Sequence, residues 1–318
     1  MRSRTPTCPR SHLTSRCRPT ASATAATSVL GQYFGFAQFE FAGALGLADG
    51  RYLAREGGEA ERQRVLAIET LGAPPPPGRR RRRPRDAESG ADSRALPLTR
   101  ATAIRAYEPF EGGEEAAAWL DRAVASEDGI DGLVAEGIAL LNDALHAQAA
   151  AAADPYLAET TAERAVLVRV GYGSGEEVAA GRFSLAREVD IRGGRRRQRD
   201  EELRPQERMA AVLGGRERID ACESLLLRAR ADLNADRVRE AALQLRVGLE
   251  ALLMELAGAL VDPGHDEDMA TLESRRHEVG EAANAALRGE LDAERADQVR
   301  ELIELSERVI RRRRILRG

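Results

Sequence analysis

Apolar residues recur along this chain at two spacings, and the change from one to the other divides it. In residues 33–41 aromatic and other apolar side chains stand two apart. That is the period of a strand, and the run admits a bulge near Ala37. Asp49-Gly50 is a turn pair, and residues 51–55 alternate charged and apolar before Gly57-Gly58. Residues 65–71 form a third strand pattern, and the three together predict an antiparallel meander. Strand character resumes over 98–106, 166–170 and 183–191. Two helices fall between these runs. Residues 114–124 predict a short one carrying Trp119 and Leu120. Residues 130–153 predict a longer one with Ile130, Leu133, Val134, Ile138, Leu141 and Leu145 on one face, stopped by Asp154-Pro155.

From residue 205 onward the period changes to that of helices. No aromatic residue follows Phe183, so this part packs with aliphatic side chains. Four seams are readable. The first uses Met209, Val212, Ile219, Leu226 and Leu233. The second uses Val238, Ala242, Leu245, Leu249, Leu252, Leu256 and Leu260. The third uses Met269, Leu272, Val279, Ala283 and Ala286, and the fourth uses Val299, Leu302, Val309 and Leu316. Each keeps heptad-like, coiled-coil spacing. Short turns at Asn234-Ala235-Asp236, at Asp262-Pro263-Gly264 and near Gly289 force antiparallel neighbours, with Asp236 and Asp292 as expected helix caps. The predicted fold class is therefore α+β: an N-terminal antiparallel β-meander with two packing helices, then an up-down-up-down four-helix bundle.

Local composition sets the expected boundaries. Residues 1–28 read as a disordered tail, because Arg2, Arg4, Arg10, Arg16 and Arg18 occur there and no acid precedes Glu40. That composition imitates a transit peptide, but it lacks the apolar core of a secretory signal. Residues 30–191 form the α+β domain. Inside it, residues 73–95 read as an exposed disordered loop, since four prolines remove backbone donors and the five arginines of 79–83 repel one another. Residues 192–204 read as a charged linker, and 205–318 as the helical bundle.

Overall charge narrows the function classes. The chain has 48 basic residues, all arginine, against 52 acidic ones, a formal charge of −4. Such balance argues against a nucleic-acid binder, and no apolar run is long enough to span a membrane. A GC-rich coding sequence accounts for the missing lysine and for the arginine tracts. Cys8, Cys17 and Cys222 are odd in number and form no CxxC pair, so a reducing cytoplasm without disulfides is expected.

Candidate chemistry is sparse. Gly171, Gly173 and Gly175 follow an apolar strand, and such a run can turn backbone N–H groups toward a phosphate. It lacks the ending of a P-loop, and Glu176 and Glu177 follow it. The cluster His265-Asp266-Glu267-Asp268 holds oxygens that hard cations favour, but its spacing does not match a calcium loop, and acids there also complement a helix dipole. No GxSxG, HExxH or SxxK motif occurs. No cofactor and no metal are expected. Arg216, Arg276 and Arg313 interrupt the first, third and fourth seams. In an up-down-up-down bundle they are expected at one end, with Asp262, Asp266, Glu267 and Asp268. That end would be a charge network or a docking surface.

Residues 237–253, Arg-Val-Arg-Glu-Ala-Ala-Leu-Gln-Leu-Arg-Val-Gly-Leu-Glu-Ala-Leu-Leu, resemble the second helix of HEPN-type helical domains. The resemblance implies an antiparallel bundle that accompanies nucleotidyltransferases or acts as an RNase. The RNase form carries an Arg and a His on a late helix. Here the last histidine is His277, so the resemblance lends no RNase chemistry. Taken whole, the chain resembles conserved proteins of high-GC bacteria, a resemblance that implies no activity. The expected function is that of a non-enzymatic cytoplasmic interaction or scaffold protein with a protein partner, with homo-oligomerisation left open. Two alternatives stay open beside it. One is binding of a nucleotide or phosphate ligand by the glycine run. The other is association with RNA through the arginine tracts.

Overall fold

The structure, a computed structural model, describes residues 32–56, 62–72, 97–191, 205–258, 262–289 and 291–317. The expected tail 1–28, loop 73–95 and linker 192–204 lie outside the described residues.

Among the described residues six strands make one antiparallel sheet: β1 (Tyr33–Ala42), β2 (Gly50–Glu56), β3 (Arg62–Leu71), β4 (Leu98–Ile104), β5 (Leu167–Ser174) and β6 (Leu185–Glu188), in the order β2-β3-β4-β1-β5-β6. The first three strands are thus not the expected meander. β1 leaves β2 and inserts between β4 and β5, pairing Phe39 with Ala101 on one side and with Val168 on the other. Its composition explains the central place. Phe34, Phe36, Phe39 and Phe41 are all buried, which requires cover on both faces of the sheet. The register runs unbroken through Ala37, so the expected bulge is absent.

One face of the sheet carries Ala37, Phe39, Phe41, Ile68 and Val168 against helices α1 (Gly113–Val124) and α2 (Glu127–Ala152). The Ser126 hydroxyl caps α2 by accepting from the Gly129 N–H, and Ala153 ends it in the left-handed conformation. The other face is apolar only in part. Phe34, Phe36 and Ile104 pack there with Val178 of the short helix α3 (Gly175–Ala179). Beside them Gln38, only 1% exposed, donates to the Thr102 hydroxyl at 3.1 Å. A cross-strand row of alternating charge completes this face. Arg100 bridges Glu69 and Glu40, each at 3.2 Å, and Arg169 bridges Glu40 at 3.3 Å and Glu188 at 3.5 Å. Opposite charges on neighbouring strands favour this register over any slipped one.

The C-terminal part is helical, as expected, but its described residues form six segments: α4 (Pro205–Leu213), α5 (Ala221–Asn234), α6 (Val238–Leu256), α7 (Pro263–Ser274), α8 (Arg276–Arg288) and α9 (Ala293–Arg317). The first expected seam is broken between α4 and α5, and Met209 and Ile219 are both 58% exposed. Glycines at 214 and 215 stop α4, the second in the left-handed region at φ 71°. The third seam bends at Arg275, which lies between α7 and α8. The second seam holds through Ala242, Leu245, Leu249, Leu252 and Leu256, all buried. Together with Leu226, Leu272, Val279, Ala286, Leu302 and Val309 they form one aliphatic core. Asp292 caps α9 by accepting from the Arg295 N–H at 2.9 Å. Asp236 caps nothing: it takes a positive φ of 56°, and Arg237 occupies the position before α6. The Arg237 guanidinium also reaches Glu159, in the sheet part of the chain, at 2.7 Å.

Candidate functional site

A set of charged side chains gathers where the C-terminal turns of α9 meet the first turns of α5 and α7. Helix dipoles set up the arrangement. The carbonyl end of α9 favours cations, and the N–H ends of α5 and α7 favour anions. The sequence supplies both. Residues 311–314 are four arginines, Asp220 and Glu223 open α5, and Asp262 caps α7 with Pro263 in its first turn.

Arg312, Arg313 and Arg314 then each find a carboxylate from another helix. Arg313, whose side chain is 13% exposed, bonds Asp220. Arg314 lies 3.4 Å from Glu223, and Arg208 of α4 donates to the other Glu223 oxygen at 2.6 Å. Glu223 is only 4% exposed, so two guanidiniums hold one buried carboxylate, the compensation that burial of a charge requires. Arg312 approaches Asp268 at 3.3 Å and Asp262 at 3.6 Å, and Arg308 approaches Asp268 at 3.6 Å. Asp262 also accepts from the His265 N–H at 2.8 Å. The His265 imidazole is buried, and neither ring nitrogen has a hydrogen-bond partner among the described residues.

Glu255, near the end of α6, accepts from the N–H groups of Ala221 and Cys222 at 3.1 and 3.0 Å. Burial first, then Glu255, push the Cys222 thiol up to about 12, so it stays a protonated core residue rather than a nucleophile. A cleft of about 510 Å³ at this end is lined by Asp262, Gly264, Arg308, Arg311 and Arg312. Ile315 and Leu316, which also line it, are 54% and 51% exposed. Arg311 is exposed and pairs with no carboxylate among the described residues.

The structure thus brings together part of what the sequence suggested. Arg313 and Asp268 belong to this end, along with Asp262. Asp266 and Glu267 are exposed, with no ion pair at either among the described residues. Arg216 is exposed in the turn after α4 and joins no ion pair among the described residues, because α4 ends before it. Arg276 lies elsewhere, at the start of α8, bonded to Glu250 and 3.5 Å from Glu273. The break at Arg275 places it there. Arg208, Arg308, Arg312, Arg314, Asp220 and Glu223 were missed. The run at 311–314 was their signal, since four successive arginines cannot all face solvent on a helix packed along one side.

The glycine run is not a turn. Gly171 and Gly173 lie inside β5, paired with Phe36 and Phe34 of β1, and Gly175 opens α3. Their small size serves packing: a Cβ on Gly171 would stand 2.3 Å from the Leu185 carbonyl oxygen. Among the described residues no group of three or more His, Cys, Asp or Glu side chains could hold a metal ion. No helix among them is long and apolar enough to cross a membrane. Compared with known proteins, the chain matches no family model, no curated protein and no solved structure.

Proposed function

We propose that this is a non-enzymatic interaction protein of the cytoplasm that docks an acidic protein segment on the arginine-bearing end of its helices. The observation that carries the reading is the combination along the cleft: Arg311 without a carboxylate partner among the described residues, Arg308 60% exposed, and Ile315 and Leu316 half exposed. Arginine and aliphatic residues beside a concave surface are what an interface core is built from. The paired arginines behind them hold the surface in one shape, so little order has to be created on binding. A protein partner suits the site better than a nucleic acid. Asp262 and Asp268 stand among the arginines and interrupt the continuous cationic track that a phosphate backbone needs. The HEPN-type likeness of residues 237–253 and the up-down-up-down arrangement remain part of this reading as an expected framework. Neither adds catalysis.

The test is fluorescence anisotropy of a short labelled Glu/Leu peptide titrated with the full chain. Binding that weakens as salt rises, and that falls at least about ten-fold in an Arg308→Glu, Arg311→Glu variant, is the expected result. Equal binding by the variant, or none by the wild type, defeats the proposal.

A further inference from the structure

The outer face of α6 goes beyond the docking surface, and none of its residues lines that cleft. This helix carries two seams. Leu245, Leu249, Leu252 and Leu256 form the buried one. On the opposite side Leu243, Val247, Glu250 and Met254 follow at intervals of four, three and four, which is again coiled-coil spacing. This second seam is open. Leu243 is half-buried, Val247 is 55% exposed and Met254 is 82% exposed. Leu287 of α8, 66% exposed, adjoins the Leu243 end, because Arg239 of α6 donates to the carbonyl of the preceding Ala286 at 3.0 Å. Apolar residues scattered singly over a surface are ordinary, but a row of them along one helix marks a contact surface.

Charge on this face is balanced and ordered. Arg246 donates to the Asn284 side chain at 3.0 Å and pairs with no carboxylate among the described residues. Glu250, one turn further on, accepts from Arg276 at 2.7 Å, and its side chain is still 45% exposed. Arg239, Arg246 and Arg276 are matched in number by Glu240, Glu250 and Glu273, and Arg288 and Glu281 at the margin on α8 cancel as well. The order matters as much as the sum. Arg246 and Glu250 stand two positions before and two after residue 248, and Leu243 and Met254 stand five before and six after it. Beside the seam a hollow of about 430 Å³ lies between α6 and α8, lined in part by Leu249, Val279 and Gly280.

We infer that a second copy of this chain packs antiparallel along the outer seam of α6, making a two-fold dimer. A two-fold axis beside residue 248 sets Arg246 against the partner's Glu250 and Leu243 against the partner's Met254, each contact made twice. One axis position thus satisfies the charged and the apolar pairs together. Symmetry of order about one point is what a self-complementary contact needs, and an unrelated partner has no use for it. Val247 meets its own counterpart near the axis, and the hollow gives room for side chains of the second copy. Glu250 is then held by two guanidiniums, as Glu223 is within the chain. A neutral face offers no attraction to a polyanion or to a strongly basic segment. The seam is about 16 Å long, so the contact is small and the dimer reversible.

Sedimentation of the full chain across a concentration series is the test, and a monomer–dimer equilibrium is expected. Met254→Glu is expected to weaken it at least about ten-fold by placing an unpaired charge in the contact. Arg246→Glu sets like charges against each other in its own dimer, and so does Glu250→Arg. Each alone is expected to associate at least about ten-fold more weakly than wild type. Mixed together, the two variants regain both pairs, because each carries the charge that the other needs. The mixture is expected to form a heterodimer at close to wild-type strength, and that recovery also shows both variants to be folded. A wild type that stays monomeric throughout, a dimer indifferent to Met254→Glu, or a mixture no stronger than its components overturns the assignment.

Discussion

Arg313, near the end of the last helix, bonds Asp220, the residue that opens α5, across 93 positions of sequence. The pair links the negative end of one helix dipole to the positive end of another, and both side chains are largely shielded from water. Isolated surface pairs contribute little, whereas a shielded charge left without its partner is costly. This pair lies between those limits. Arg313→Ala is expected to lower unfolding free energy by about 2 kcal/mol in urea titrations. A double-mutant cycle with Asp220→Ala is expected to return a coupling of about 1 kcal/mol or more. Additive single effects would show that the two side chains act independently.

The glycines of β5 give a second expectation. Gly171→Ala puts a methyl group against the Leu185 carbonyl and the Ala186 backbone, 2.8 Å from its Cα. Neither neighbour can move without releasing β6 from the sheet. A loss of about 2–4 kcal/mol is expected in the same unfolding assay. A phosphate ligand should leave the melting temperature of the wild-type chain where it is. A neutral Gly171→Ala, or a phosphate-induced rise in melting temperature, would return the glycine run to the status of a ligand loop.

Cys222 supplies a pH dependence of known sign. The thiol is raised from 9.0 to about 12 in the folded chain, so between those values the folded state holds a proton that the unfolded state has lost. Stability from this group is complete below about pH 9 and is lost as pH rises toward 12. Comparison of wild type with Cys222→Ala by urea unfolding across that window isolates the group from the tyrosines. The wild type is expected to lose stability faster as pH rises, and parallel profiles would contradict the assignment.

Most of the secondary structure was legible in the sequence, because residue spacing reports local geometry. The two-residue period of β1 and the seam of Leu245, Leu249, Leu252 and Leu256 are both present where the pattern put them. Pairing was not legible in the same way. Nothing local to Tyr33–Ala42 states that it joins β4 and β5 instead of β2, and only the burden of four buried phenylalanines hints at a central strand. The charged end was half legible. The up-down-up-down topology placed acids and arginines at one end, but it selected Arg276 and Arg216 by heptad spacing, and that spacing fails where the backbone breaks at Gly214-Gly215 and at Arg275.

Hydrogen exchange with and without the acidic Glu/Leu peptide tests the docking claim most directly. The account predicts slowed exchange in the first turns of α7 and in residues 308–317, with the sheet unchanged, and predicts that Arg308→Glu, Arg311→Glu removes the effect. Protection confined to the sheet or to α1 and α2, or no protection at saturating peptide, would contradict it.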